Sequence, residues 1–160
     1  MEKTVLINIP SLIYLGVIGA MGTVGNSLIL IVYSRKKKKT ATTIFIQFLA
    51  VVDLVTDVVI IPATVYIRLF YGDFGVAYLC KTYVFANITM TVVPMLAILA
   101  IAVTRYRKIC KTFGWQVSPY QAKVTCGVIV VVASLVVSPY IIARSMRQPS
   151  STNGTVCYLD

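Results

Sequence analysis

Residues 80–106 read CKTYVFANITMTVVPMLAILAIAVTRY. A thiol opens the stretch and a guanidinium nearly closes it, and from Thr82 to Thr104 no side chain is charged. A helix needs about 20 mostly apolar residues to cross the hydrocarbon core of a bilayer. Cys80 and Arg105 lie 25 residues apart. At 1.5 Å per residue that is about 37 Å, slightly more than the hydrocarbon thickness. One helix therefore carries a cysteine at one membrane face and an arginine at the other.

Working outward, the same reading applies three more times. Apolar runs cover residues 9–33, 43–70 and 122–143, beside the 78–105 run that holds the quoted stretch. In lipid only a helix satisfies its own backbone over such a run. The fold class is all-α, a transmembrane helical bundle in one domain. Composition agrees: 58% of the 160 residues are hydrophobic, 12% are charged and mean hydropathy is +0.85. A soluble domain needs far more charge on its surface. A cleaved signal peptide at the N-terminus does not fit, because the apolar core is too long and the basic cluster follows it.

Charge orients the bundle. Arg35 and Lys36 to Lys39 join the first two spans, and Arg105, Arg107, Lys108, Lys111 and Lys123 join the third and fourth. These ten stand against five on the opposite side: Lys3, Arg68, Lys81, Arg144 and Arg147. The richer side is cytoplasmic by the positive-inside rule. Loops 34–42 and 106–121 are then inside, and loops 71–77 and 144–160 and the N-terminus outside. The net charge of +10 sits between apolar runs, so the partner is the lipid bilayer and not nucleic acid. The lysine run anchors to acidic headgroups.

No histidine and no CxxC pair occurs, so His-based metal sites, zinc ribbons and thioredoxin-type redox centres are excluded. No cofactor is implied, and no nucleophile–base pair assembles, so the chain is not read as an enzyme. Cys80 and Cys157 both fall on the outer side, where a disulfide is permitted; a bond between them or two free thiols both satisfy the residues alone. Cys126 lies in the fourth span and Cys110 in the cytoplasm, and both are expected to be reduced. Cys110 is a weak palmitoylation candidate. Asn26, Asp53 and Asp57 are polar groups inside spans, which normally face the bundle interior and have a role. Asp53 and Asp57 are one turn apart. Structural glue and a hydrated or sodium-binding pocket are both open readings.

Here a resemblance becomes specific. Gly25-Asn26, the Leu49-Ala50-Val51-Val52-Asp53 stretch, Phe74-Gly75, Cys80, Arg105-Tyr106 and Pro139 resemble, in order and spacing, the first four spans of a rhodopsin-like G-protein-coupled receptor. The resemblance covers essentially the whole chain. It implies that Asn26 and Asp53 belong to a central polar network, that Cys80 and Cys157 form the outer disulfide, and that Arg105, flanked by Thr104 and Tyr106, faces a heterotrimeric G protein. It also implies an extracellular ligand, met near Asp57, Asn87 and Thr91, and location in the plasma membrane. The competing reading of Arg105 is one more positive-inside anchor.

The departures narrow the expectation. Thr104 stands where the family usually has an acid paired with the arginine, so that charge pairing is missing. Pro94 replaces a small polar residue near Asp53, which disfavours sodium there. Asn87 lies where amine receptors carry a carboxylate, so a monoamine ligand is disfavoured. Pro62 is common in peptide-binding members, and the usual tryptophan of the fourth span is absent, with Ile129 to Val131 in that region. Asn153-Gly154-Thr155 is a glycosylation acceptor in an outer loop; Asn87-Ile88-Thr89 matches the pattern but lies in the membrane.

The family has seven spans and this sequence holds four, which suggests a fragment of a longer product or a truncated receptor. The alternative functions are a truncated receptor that pairs with a full-length copy as a homo- or hetero-oligomer, and an unrelated four-span scaffold. The second lacks the cysteine-rich outer loop of tetraspanin-like proteins, and the repeat symmetry of transporters is also missing.

Overall fold

The computed structural model describes residues 2–69, 77–110 and 116–146, with side chains over residues 9–67, 81–110 and 116–140. Every regular element among them is helical: α1 (Glu2–Ser34), α2 (Ala41–Val55), a π turn (Thr56–Ile60), α3 (Ile61–Leu69), α4 (Ala77–Cys110) and α5 (Pro119–Met146). Four stretches are long and apolar enough to cross a membrane: Ile9–Ser34, Ala41–Ile67, Lys81–Cys110 and Pro119–Tyr140. The chain is a multi-pass membrane protein. Its helices outrun the spans expected at 9–33, 43–70, 78–105 and 122–143 at several ends. Arg107 and Lys108 in the last turn of α4 explain one extension, since cations favour a helix C-terminus.

Helix starts follow local chemistry. Thr40 caps α2, its hydroxyl accepting from the Thr43 N–H at 3.3 Å. Before α5, Ser118 and Gln121 form a reciprocal capping box: the Gln121 N–H donates to Ser118 Oγ at 3.2 Å, and the Ser118 N–H donates to Gln121 Oε1 at 2.9 Å. Pro119 occupies the first helical position, where its missing N–H costs nothing.

The second span is not one ideal helix. Pro62 has no N–H, and its ring would collide with the carbonyl one turn back. The backbone widens just before it: the Ile61 N–H donates to the Thr56 carbonyl, a five-residue step. One inserted residue shifts everything beyond by about 100° around the axis.

α2 is the central element, touching α1, α4 and α5. Three apolar clusters stack along the bundle: Phe45 with Ala122 and Cys126, then Val52 with Val93, Ile129 and Ala133, then Ile60 with Ile67, Tyr83 and Val84. Ala97, Ala122 and Ala133 are fully buried. Small residues let backbones approach closely, which matters where no hydrophobic effect drives helices together. Outward faces are apolar instead, with Ile13, Val58, Leu99 and Leu135 all exposed. On a water-soluble protein such continuous surfaces would aggregate; in a membrane bundle they suit lipid or further helices.

Candidate functional site

Polar side chains gather at three levels. Between α3 and the first half of α4, the Thr64 and Tyr83 hydroxyls lie 2.6 Å apart, and Asn87 Nδ2 donates to the Tyr83 oxygen at 3.2 Å. Thr64 also donates within its own helix, to the Ile60 carbonyl at 2.7 Å. α3 and α4 are thereby bolted together through a phenol. The π turn sets the register that brings Thr64 to this face. Thr91 sits one turn from Asn87, exposed, its hydroxyl donating to the Asn87 carbonyl at 3.0 Å. Asn87 and Thr91 thus share one stretch of α4.

At the middle level, Asp57 lies against α1, beside Gly22. Its carboxyl is near enough to the Asn26 side chain for the two to interact. Oδ2 is buried with no partner. Gly22 makes this fit possible: a Cβ there would collide with Asp57 Oδ2 and come within 2.9 Å of Cγ. Asn26 thus faces Asp57, one turn beyond Asp53. Asp53 is half-buried and close enough to Asp57 for the two carboxyls to interact electrostatically. Pro94, half-buried on α4, brings no side-chain oxygen to that region. Among the described residues no three His, Cys, Asp or Glu side chains cluster as metal ligands.

Toward the C-terminal end of α4, Thr104 is buried and donates to the Ala100 carbonyl at 2.7 Å. Arg105 and Tyr106 beside it are exposed. Among the described residues no carboxylate forms an ion pair with Arg105. Lys36 packs its ammonium 4.4 Å from the Tyr33 ring centroid, a cation–π contact at the end of α1. Cys110 is exposed and Cys126 buried, both as free thiols.

Cys157 and Asn153 lie outside the described residues, as does the side chain of Cys80. Tyr83, Thr64 and Gly22 were not singled out from sequence. A tyrosine hydroxyl inside a span must find a partner, and Tyr83 stands one helical turn before Asn87; that signal was readable. The partner across the bundle was not, because the π turn decides which face of α3 meets α4.

Comparison with known proteins falls on the same segments. The family model described as "7 transmembrane receptor (rhodopsin family)" matches residues 25–160. The pyroglutamylated RF-amide peptide receptor of Rattus norvegicus is 34% identical over 75% of this chain and 28% of its own length. The type-1 angiotensin II receptor A of Xenopus laevis is 34% identical over 98% of this chain and 44% of its own. Melanopsin-B of Xenopus laevis is 32% identical over 59% of this chain and 18% of its own. The chain thus spans less than half the length of each of these relatives.

Proposed function

The chain belongs to the rhodopsin family of seven-transmembrane receptors, and from that premise we propose that it forms the N-terminal half of the membrane bundle of a receptor. That receptor binds an extracellular peptide and activates a heterotrimeric G protein. It sits in the plasma membrane with the N-terminus outside and performs no catalysis of its own.

One observation carries the G-protein part. Arg105 and Tyr106 are exposed at the inner end of α4, with no acid among the described residues to hold the guanidinium. A guanidinium always carries its charge and presents a rigid fork of donors. At that membrane face it is ready to meet backbone carbonyls or a carboxylate of a cytoplasmic partner. The neutral Thr104 cannot form the acid–arginine pair within α4, so the resting state lacks that one restraint. Basal activity above that of acid-bearing relatives is the expected consequence.

The peptide reading rests on three supports. α4 contains no acidic residue, so the Asn87–Thr91 stretch offers a cationic amine no countercharge. The Asn87 amide is already engaged with Tyr83. A relative that matches three quarters of the chain bears a peptide receptor's name. The Cys80–Cys157 disulfide would tie the last outer loop over this end of α4, and a glycan at Asn153 belongs on the same side.

The experiment uses a gene product that contains this chain at its relatives' length, expressed in cells and challenged with a panel of amidated and unamidated peptides. Nucleotide exchange on G proteins is the readout. Arg105→Ala is expected to abolish exchange while ligand binding persists. Exchange that survives Arg105→Ala unchanged would make Arg105 only a membrane anchor. Activation by monoamines and by none of the peptides would overturn the ligand class.

A further inference from the structure

The hydroxyls and amide of Thr64, Tyr83 and Asn87 can hold their protons in one order only. Thr64 Oγ1 lies 2.7 Å from the Ile60 carbonyl, which has no proton to give, so the single hydroxyl proton of Thr64 is committed there. The Tyr83 oxygen lies 2.6 Å from the same Thr64 oxygen. Two oxygens at that distance need a proton between them, and only the phenol has one left. Tyr83 therefore donates to Thr64. Its oxygen is then an acceptor toward Asn87, 3.2 Å away, and Nδ2 is the side-chain atom of Asn87 that can donate. The order runs from Asn87 to Tyr83, to Thr64, to the Ile60 carbonyl.

The surroundings hold that order in place. Tyr83 and Ile60 are buried and pack in one apolar cluster with Ile67 and Val84. Turning the Asn87 amide over would set Oδ1 against the phenol oxygen with no proton between them, and in a medium of low polarity an unmade bond is costly. Nδ2 is thus fixed on Tyr83, and Oδ1 forms the opposite edge of the amide. No described residue donates to Oδ1. Asn87 has no charged neighbour on α4 within five residues either way.

We propose that Thr64, acting through Tyr83, determines which edge of Asn87 meets a ligand, and so selects a neutral group that donates an N–H over a carboxylate. The ligand half of this rests on the reading that an extracellular ligand reaches Asn87; the order of the protons does not. An amide N–H of the ligand donates to Oδ1. A carboxylate only accepts, and it would meet a carbonyl oxygen with no cation on the same stretch of helix. Thr64 and Tyr83 need not touch the ligand; they are positioning residues. One substitution reverses the choice. Thr64→Val takes the acceptor away from the phenol, the Tyr83 proton goes to Asn87 Oδ1, and the amide turns over to present its Nδ2 donors.

The test uses the chain in nanodiscs with asparagine labelled in carbon and nitrogen, read by magnetic resonance. The chain has four asparagines, and Asn87→Gln identifies the signals of this one. A hydrogen-bonded amide proton resonates downfield, and so does the carbon of a carbonyl that accepts. Tyr83→Phe is expected to move the bonded Nδ2 proton of Asn87 upfield and leave Cγ in place. Thr64→Val is expected to move that proton upfield and Cγ downfield, and Thr64→Ser to keep the unaltered pattern. Benzamide and benzoate, alike in shape, are the probes. On the unaltered chain benzamide is expected to shift Asn87 Cγ at about tenfold lower concentration than benzoate, or better. On Thr64→Val that gap is expected to close. Protection of the buried Cys126 thiol reports folding, and Thr64→Ala removes the same acceptor if Thr64→Val fails that check.

An Nδ2 proton that stays downfield in Thr64→Val would overturn the order of protons and the proposal with it. Benzoate matching benzamide on the unaltered chain, or neither probe moving Asn87, would overturn the ligand selection. Both readouts use the chain alone. Failure of every peptide to activate the receptor in cells would therefore count against the peptide reading and leave these signals unchanged.

Discussion

Gly22 is the residue on which the contact between the first two spans turns. Glycine in a helix interior costs about 0.5–1 kcal/mol relative to alanine, so each of the four at positions 16, 19, 22 and 25 is a candidate for stabilisation. Only context separates them. A Cβ at Gly16 or Gly25 meets nothing, one at Gly19 meets Ile61 Cδ1 at 3.3 Å, and one at Gly22 meets the Asp57 carboxyl. Gly22→Ala is expected to destabilise by about 1–3 kcal/mol through overpacking. Gly25→Ala gains the same helix propensity without the collision and is expected to be neutral or mildly stabilising. Thermal exposure of the buried Cys126 thiol in detergent reads both. Equal behaviour of the two variants would mean that Asp57 moves away freely and that the Gly22–Asp57 contact does not hold α1. The spacing of these glycines was legible in the sequence, and so was the cost of a carboxyl inside a span. Which glycine faced it was not, because α1 and the second span meet at an angle that no local pattern encodes.

At the scale of elements, the second span carries most of what local periodicity misses. Asp53 and Asp57 were readable as neighbours on one helical face, yet Asp57 turns to Asn26 and Gly22 while Thr64 turns to Tyr83. A proline that removes one donor and a π turn that absorbs the collision account for the altered register. The Thr64–Tyr83 contact then becomes measurable as a coupling. Thr64→Val, Tyr83→Phe and the double variant form a cycle whose interaction energy is expected near 0.6 kcal/mol and below about 1.7 kcal/mol, as for other hydrogen bonds between membrane helices. Unfolding in a denaturing detergent supplies the four free energies, and a coupling of zero would reduce the contact to coincidence. The start of α5 makes a simpler expectation. Ser118→Ala removes the capping hydroxyl and leaves the Gln121 N–H unanswered, a loss of about 1 kcal/mol, and Ser118→Asp is expected to restore it. The box was written in the sequence as Ser118-Pro119-Tyr120-Gln121, more legible than any tertiary contact because cap chemistry is local.

At the scale of the molecule, what decides the proposed function is which end faces the cytoplasm, and the charge asymmetry of the loops biases it. Ten basic residues on one side against five on the other is a modest excess, and four of the ten are the lysines at 36–39. Replacing those four with glutamine leaves six against five, so the bias nearly vanishes. Cys110 reads the outcome with a native group, since its thiol is exposed at the end of α4 while that of Cys126 is buried in the bundle. In intact cells a membrane-impermeant maleimide is expected to leave Cys110 unlabelled and to label it after permeabilisation. In the four-lysine variant a substantial fraction is expected to become labelled without permeabilisation, because insertion now proceeds in both directions. Complete labelling of the unaltered chain in intact cells would place Arg105, Lys39 and Lys108 outside. A G-protein contact at Arg105 would then fail, while the helix packing around Phe45 and Ala133 would stand unchanged.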